Sequence, residues 1–263
     1  MTKHRSECIF TFRKNYQLNP LVHTLLPSPI FSILPAHSSA QHTQNTVLIS
    51  AHQPNNLANN RIMDITWHGK TAFTFKDKGA TIVVNPHKEL GKIKASAILS
   101  SLNPKDLADI DENTKIFDWP GEYEVSDVPI IAFQAWTKSK SKEETEGVAG
   151  DPTIIFYFEV DGIKICHLGD LGHVISSEMV KEIGDIDILL INAGKSGNLG
   201  TKKALEVLEA IDPRAVVPMG NDDFSEFLKE LGAGAVPPVD KFSLKSATDL
   251  PEDKRQYIVL SKA

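Results

Sequence analysis

The sequence of 263 residues is poor in cysteine. Its two thiols, Cys8 and Cys166, are too few and too far apart to form a disulfide framework or a four-cysteine zinc site. Basic residues are not in excess, since 28 Lys and Arg stand against 34 Asp and Glu, a net charge of −6. We therefore expect no nucleic-acid partner. No uninterrupted apolar run of about 18 residues is present, so we expect a soluble, cytoplasmic protein with no membrane partner.

Glycine is absent from residues 1–62, and all 16 glycines lie beyond them. The apolar stretch 21–35 within this segment is cut by Pro27, Pro29 and Pro35, which leaves neither a helix nor a strand period. Three interpretations of the segment stay open: a secretory or organellar signal, a disordered tail, and upstream sequence translated by mistake ahead of Met63. The last two make 1–62 a disordered or non-native extension and place the folded domain in 63–263.

Strand patterns predominate from Met63 onward, and helix patterns join them beyond Gly172. Residues 153–160 alternate between two faces, and Asp161-Gly162 then predicts a tight hairpin turn. Amphipathic helices are predicted at 176–183, 201–211 and 224–231. Hairpin strands followed by alternating helices and strands predict two sheets packed face to face, with helices outside.

Six segments of residues 63–263 occur in the order typical of one known family. The two most specific are 119–125 (WPGEYEV) and 165–173 (ICHLGDLGH). The others are 63–75, 82–86, 187–192 and 216–219. On these segments the chain resembles the metallo-β-lactamase superfamily, in the branch that looks like ascorbate-6-phosphate lactonase and related zinc-dependent hydrolases. The resemblance implies an α/β fold, a four-layer αββα sandwich, with a metal site at one edge of the two sheets.

The resemblance also implies ligands for two divalent metals that would generate a metal-bound hydroxide. The family's first ligand cluster is His-x-His-x-Asp-His, directly after a buried strand. In this chain its four ligand positions are occupied by Ser101, Asn103, Lys105 and Asp106. Serine and a neutral amide are poor zinc ligands, and the charge of Lys105 repels a dication. Asp106 alone keeps metal-binding chemistry.

The other ligand positions implied by the resemblance are altered as well. Lys70 stands for the histidine of an early Gly-His pair, Asn85 for the aspartate of an Asp-Pro pair, and Gly220 for a late histidine. A further histidine is missing from residues 134–137 (QAWT). Only Asp170 of the Gly-Asp pair is retained, and one ligand cannot hold a catalytic zinc by itself.

A rebuilt metal site would have to combine Asp170 with other ligands, and we keep Asp106 and His173 as the candidates. Further candidates are His167, Asp118 and Glu122. The three-residue spacing of His167, Asp170 and His173 does not bring them together on a strand end and loop, and we expect both histidines to be structural. An oxygen-rich site for Mg²⁺ or Ca²⁺ would need several converging acids.

Two other features invite a chemical interpretation. Cys166 lies on an alternating apolar strand, which favours a small buried hydrophobic residue over a reactive thiol. Residues 194–200 (GKSGNLG) follow a strand and are rich in glycine, but they lack the spacing of a phosphate-binding P-loop. Phosphate binding at the start of the following helix stays open.

These observations leave two functional hypotheses. In the first, the chain is a catalytically silent member of the family that binds an unidentified small molecule or protein and needs no cofactor. In the second, it is an active hydrolase of a phosphorylated or cyclic ester (a lactone or phosphoester), with zinc or another divalent metal held by a site rearranged around Asp170 and Asp106. Neither hypothesis assigns catalytic or substrate-binding residues, and an oligomer is compatible with both.

Overall fold

A computed structural model describes residues 62–138, 150–194, 197–221 and 223–263. The predictions made for residues 1–61 lie outside the described residues, so the domain boundary near Met63 stays a prediction. In the described ranges, no helix is long and apolar enough to cross a membrane.

The described residues form fifteen strands and three α-helices. Strands of the first half are β1 (Met63–Trp67), β2 (Phe73–Lys76), β3 (Thr81–Val84), β4 (Lys92–Ile93), β5 (Ala97–Leu99), β6 (Asp109–Ile110), β7 (Lys115–Phe117), β8 (Gly121–Val125) and β9 (Val128–Trp136). Those of the second half are β10 (Pro152–Val160), β11 (Ile163–His167), β12 (Ile188–Asn192), β13 (Ala215–Met219), β14 (Phe242–Leu244) and β15 (Gln256–Tyr257). The helices are α1 (Ser177–Ile183), α2 (Gly200–Ile211) and α3 (Ser225–Glu230).

These strands build two main sheets. The first has six strands in the order β14-β1-β2-β3-β5-β7, and the second has seven in the order β15-β13-β12-β11-β10-β9-β8. Strands β4 and β6 form a separate two-stranded sheet. The predicted hairpin at Asp161-Gly162 is confirmed, because β10 and β11 pair antiparallel on either side of it.

The main hydrophobic core lies between the two large sheets. Strand β10 shows how the alternation builds it: Phe156 and Phe158 enter the core shared with the first sheet, whereas Ile155 belongs to a second apolar cluster. The rings of Phe75 and Phe158 meet edge to face with centroids 4.9 Å apart, one contact across the sheets.

The second apolar cluster joins the helices to the other face of the seven-stranded sheet. Helix α2 contributes Ala204, Val207, Leu208 and Ile211 to it.

Ser176 caps α1 as predicted, its Oγ accepting from the Met179 N–H at 3.2 Å. The predicted cap of α2 at Thr201 is wrong, because the helix begins at Gly200 without a side-chain cap. The α/β sandwich is confirmed, with all described α-helices after residue 176.

One edge of the sandwich collects the carboxyl ends of parallel strands. Strands β3 and β5 are parallel in the first sheet, and β11, β12 and β13 are parallel in the second. Asn85 and Ser101 follow strands of the first sheet, His167 and Asn192 end strands of the second, and Gly220 follows β13. Ligand sites of open α/β sheets lie at such strand ends, and this is the edge to which the resemblance assigns a metal site.

Candidate functional site

A network of neutral hydrogen bonds around Asn85 occupies the end of the first sheet. The Asn85 amide nitrogen donates to Thr71 Oγ1 and to Ser101 Oγ, both at 3.1 Å. Its amide oxygen accepts from the Ser101 backbone N–H at 2.8 Å. Asn85 is 1% exposed and has a φ of +48°, a conformation that asparagine tolerates better than most residues. We call Thr71, Asn85 and Ser101 the Asn85 network.

His167 connects this network to the second sheet. Its Nε2 lies 3.0 Å from the Thr71 carbonyl oxygen, and its Nδ1 accepts from the Gly169 N–H at 3.1 Å. Since a carbonyl only accepts, Nε2 carries the hydrogen and both ring nitrogens are satisfied in the neutral form. The ring is fully buried, and this burial lowers the pKa of His167 to about 4. These contacts agree with the structural role expected of His167 from the sequence.

Asp170 lies in a separate group of contacts. The Asn192 amide nitrogen donates to its carboxylate at 3.2 Å, and Asn198 donates to its backbone carbonyl at 3.1 Å. Burial raises the pKa of Asp170, an effect that the Asn192 hydrogen bond partly offsets. A Cβ on Gly220 would lie 2.6 Å from the Asn192 amide oxygen. Asn192 thus fills the space in which a side chain at position 220, the late histidine position of the family, would have to fit.

The positions of the family's first ligand cluster are used for local structure. Ser101 belongs to the Asn85 network. The Asn103 side-chain oxygen accepts from the Lys105 N–H at 3.1 Å and so caps the short 3-10 helix Pro104–Asp106. Lys105 and Asp106 are both exposed. These side chains therefore do not converge as a set of metal ligands.

His173 stands apart from both groups. Its Nδ1 lies 2.9 Å from the Val174 carbonyl oxygen, and its Nε2 accepts from the Trp136 N–H at 3.4 Å. In the part of the chain that the structure describes, no three His, Cys, Asp or Glu side chains are grouped so that they could hold a metal ion. The structure thus places Asp170, Asp106 and His173 in different surroundings, and their assignment as ligands stays a prediction.

The side chains at this edge differ from the ligands of the two-metal centre that the family resemblance implies. The lone pairs of the Asn85 amide are engaged, Asn103 caps a helix, and Lys105 carries a positive charge. Gly220 offers no donor, and among the buried and half-buried side chains described above only Asp170 has a carboxylate, which is too little negative charge to attract two dications. The residues present do not fit a dinuclear metal group at this edge.

The remaining residues singled out from the sequence differ in how far their side chains are buried. Cys166 is fully buried, and this burial raises the pKa of its thiol, so the prediction of a buried hydrophobic role is confirmed. Asp118 and Glu122 are exposed. The phosphate-loop interpretation of 194–200 depends partly on Lys195 and Ser196, which lie outside the described residues, and it stays a prediction.

Three residues of this region were not singled out from the sequence. They are Thr71, which accepts hydrogen bonds from Asn85 and His167, Asn192, which donates to Asp170, and His87, whose Nδ1 is buried. A signal was present for Asn192, since a polar residue ends the buried run ILLIN. The role of Thr71 follows from contacts 14 and 96 residues apart in the chain, to which no local pattern points.

Comparison with known proteins supports a family assignment. Residues 64–220 match the family model described as "Beta-lactamase superfamily domain", which is more than half of the chain. A metal-dependent hydrolase of Thermococcus onnurineus is 35% identical over 100 residues, covering 38% of this chain and 43% of that protein. The chain therefore spans less than half the length of this relative. A Pyrococcus furiosus protein is 26% identical over 204 residues, covering 64% of this chain and 90% of that protein.

Solved structures agree with this assignment. A structure from Thermotoga maritima, described as a Zn-dependent hydrolase of the metallo-β-lactamase superfamily, is 30% identical with a TM-score of 0.60 and covers 75% of this chain and 98% of that chain. A metallo hydrolase from Ignicoccus hospitalis is 16% identical with a TM-score of 0.50, covering 70% of this chain and 98% of that chain, and shows the fold alone.

The neutral state of His167 predicts a pH dependence of stability. Its folded pKa of about 4 lies below the ordinary value of 6.5, so the unfolded chain takes up a proton first as the pH falls. The free energy of unfolding should therefore fall between these two pH values, by about 3 kcal/mol in total. Urea unfolding at neutral pH and at about pH 4.5 measures this loss. In His167→Gln the loss should be smaller by most of that amount, whereas an equal loss in both proteins would contradict the assignment.

The Asn85 network predicts a second effect. Asn85→Asp removes both donated hydrogen bonds and buries a charge, so we expect the free energy of unfolding to fall by about 2–4 kcal/mol at neutral pH. Asn221→Asp makes the same change at an exposed position, where a change below about 0.5 kcal/mol is expected. Chemical unfolding of both variants checks this. If Zn²⁺ restored the free energy of unfolding of the Asn85→Asp variant, metal ligands would remain at the edge.

Proposed function

This chain belongs to the beta-lactamase superfamily, and we propose that it is a binding member of that superfamily, in which the edge of the two sheets holds a ligand and does not carry out metal-dependent hydrolysis. The observation that supports this proposal is the Asn85 network. It occupies, with neutral and mutually bonded side chains, a position where a metal centre needs free lone pairs and negative charge.

The electrostatics of the edge support the same proposal. A cluster of acids that holds a dication becomes costly without it, because buried carboxylates then repel each other and lack a counter-charge. Here Thr71, Asn85 and His167 are buried and Ser101 is half-buried, and these four uncharged groups are bonded to one another. These four groups need no metal to balance a charge, which supports a binding role for this edge.

An active hydrolase of a phosphorylated or cyclic-ester substrate is the second candidate. Asp170 favours it, since this carboxylate is retained at the family's Gly-Asp position and is half-buried. The names of the Thermococcus and Thermotoga proteins point to metal-dependent hydrolysis in those relatives. A site of this kind would need Asp170 together with other ligands, with Asp106 and His173 as the candidates.

Thermal unfolding of the full chain with and without a chelator tests the proposal. We expect EDTA, and afterwards Zn²⁺, Mn²⁺ or Mg²⁺, to leave the melting temperature unchanged. A metal present at about a hundred times its Kd would stabilise the native state by about 2.7 kcal/mol, which corresponds to several degrees. A drop of that size in EDTA would contradict the proposal.

The same measurement separates the two candidates when it is made on variants. If Asp170 binds a metal, Asp170→Asn should abolish the response to EDTA, whereas Asp240→Asn, which changes an exposed aspartate, should keep it. If the edge binds no metal, all three proteins should be insensitive to the chelator.

A further inference from the structure

A cavity of about 290 Å³ opens beside the Asn85 network. Its lining includes Lys70, Thr71, His87, Lys88, Glu89 and Asp106. Its volume is near the lower end of the range for small-molecule sites, roughly 300–1,000 Å³. The cavity is therefore suited to a ligand of few atoms.

His87 gives this cavity a buried polar atom without a hydrogen-bond partner. The residue is only 7% exposed, and its Nε2 lies 3.1 Å from the His68 carbonyl oxygen, so Nε2 carries the hydrogen. Nδ1 is buried and has no hydrogen-bond partner among the described residues. The carboxylate oxygen Glu89 Oε2 lies 3.7 Å from Nδ1, beyond hydrogen-bond distance. Buried polar atoms of native proteins nearly always have a partner, so this one points to a ligand.

Thr71 supplies a hydrogen-bond donor that complements the His87 acceptor. It is 5% exposed, and its hydroxyl oxygen accepts from the Asn85 amide. Within the described ranges its hydroxyl makes no other hydrogen bond, so its hydrogen is available for an acceptor in the cavity. The cavity thus offers one buried acceptor, His87 Nδ1, and one buried donor, the Thr71 hydroxyl.

The charged residues that line the cavity carry both signs of charge. Lys70 and Lys88 are cationic, and Glu89 and Asp106 are anionic. The one ion pair between them, Lys70 Nζ to Glu89 Oε1, is 3.9 Å long, and both side chains are more than half exposed, so it is weak. A ligand with a single charge would pair either with the lysines or with the carboxylates of the lining. A ligand with both charges would pair with both.

We propose that this cavity binds a small zwitterion of the α-amino-acid class. The ligand ammonium donates to His87 Nδ1 and to the carboxylates of Glu89 and Asp106, and the ligand carboxylate accepts from the Thr71 hydroxyl and the two lysines. This inference rests on the proposed function, since it treats the edge of the sheets as a binding site and not as the entrance to a metal centre.

The test is a ligand screen on the full chain, by thermal unfolding and then isothermal titration. The probes are the common L-amino acids, with ethylamine and propionate as analogues of alanine that carry one charge each. We expect at least one amino acid to raise the melting temperature by several degrees at saturation. We expect neither single-charge analogue to do so at the same concentration.

Variants then locate the site. His87→Gln keeps an amide hydrogen for the His68 carbonyl and removes the Nδ1 acceptor, so binding of the amino acid should weaken at least about tenfold. Lys181→Gln changes an exposed lysine of α1 and should leave affinity unchanged. The melting temperature of ligand-free His87→Gln, close to that of the parent, shows that the variant folds.

Four outcomes would overturn the inference. Equal stabilisation by propionate alone would make the cavity an anion site, and equal binding by His87→Gln would place the ligand elsewhere. Zn²⁺ binding that is lost in His87→Gln would make it a metal site and would contradict the proposed function as well. If EDTA leaves the melting temperature unchanged and none of the amino acids binds, the proposed function is retained and only the proposal of a zwitterionic ligand is wrong.

Discussion

The side-chain amide of Asn85 is the interaction on which the edge of the two sheets depends. It joins the loop after β3 to Ser101 after β5 and to Thr71 before β2, and Thr71 in turn accepts from His167 of the second sheet. Each of these groups is buried or half-buried and neutral, so no counter-ion is needed. The shape of the neighbouring cavity follows, because Thr71 and Asn85 form part of its lining.

The fold was predictable because its signals are local and repeated. Alternation in 153–160 identified β10, and the Asp161-Gly162 turn identified its hairpin with β11. Ser176 marked the start of α1. The start of α2 was missed because Thr201 looks like a cap, whereas the helix begins one residue earlier at Gly200, whose φ is +68°. The cap position in the structure is Leu199, which makes no side-chain cap hydrogen bond, so no residue type marks the start of this helix.

The candidate site was only partly predictable. The substitutions at Asn85, Ser101 and Gly220 could be seen from the family resemblance, and they indicated that the metal ligands had changed. What replaced them could not be seen, because the partners of Thr71 are far apart in sequence and the unpartnered Nδ1 of His87 is a property of packing. A changed ligand residue can be recognised from its type alone, whereas a new hydrogen-bond network can be recognised only from the packing of distant residues.

We propose that the edge of the two sheets in this member of the superfamily needs no bound metal. Native mass spectrometry of the full chain, purified without chelator after expression with Zn²⁺, Mn²⁺ and Mg²⁺ in the medium, tests it most directly. We expect the mass of the bare chain, with far less than one metal ion bound per protein molecule. A dominant species carrying one or two zinc ions, as catalytic sites of the fold would hold, would contradict it.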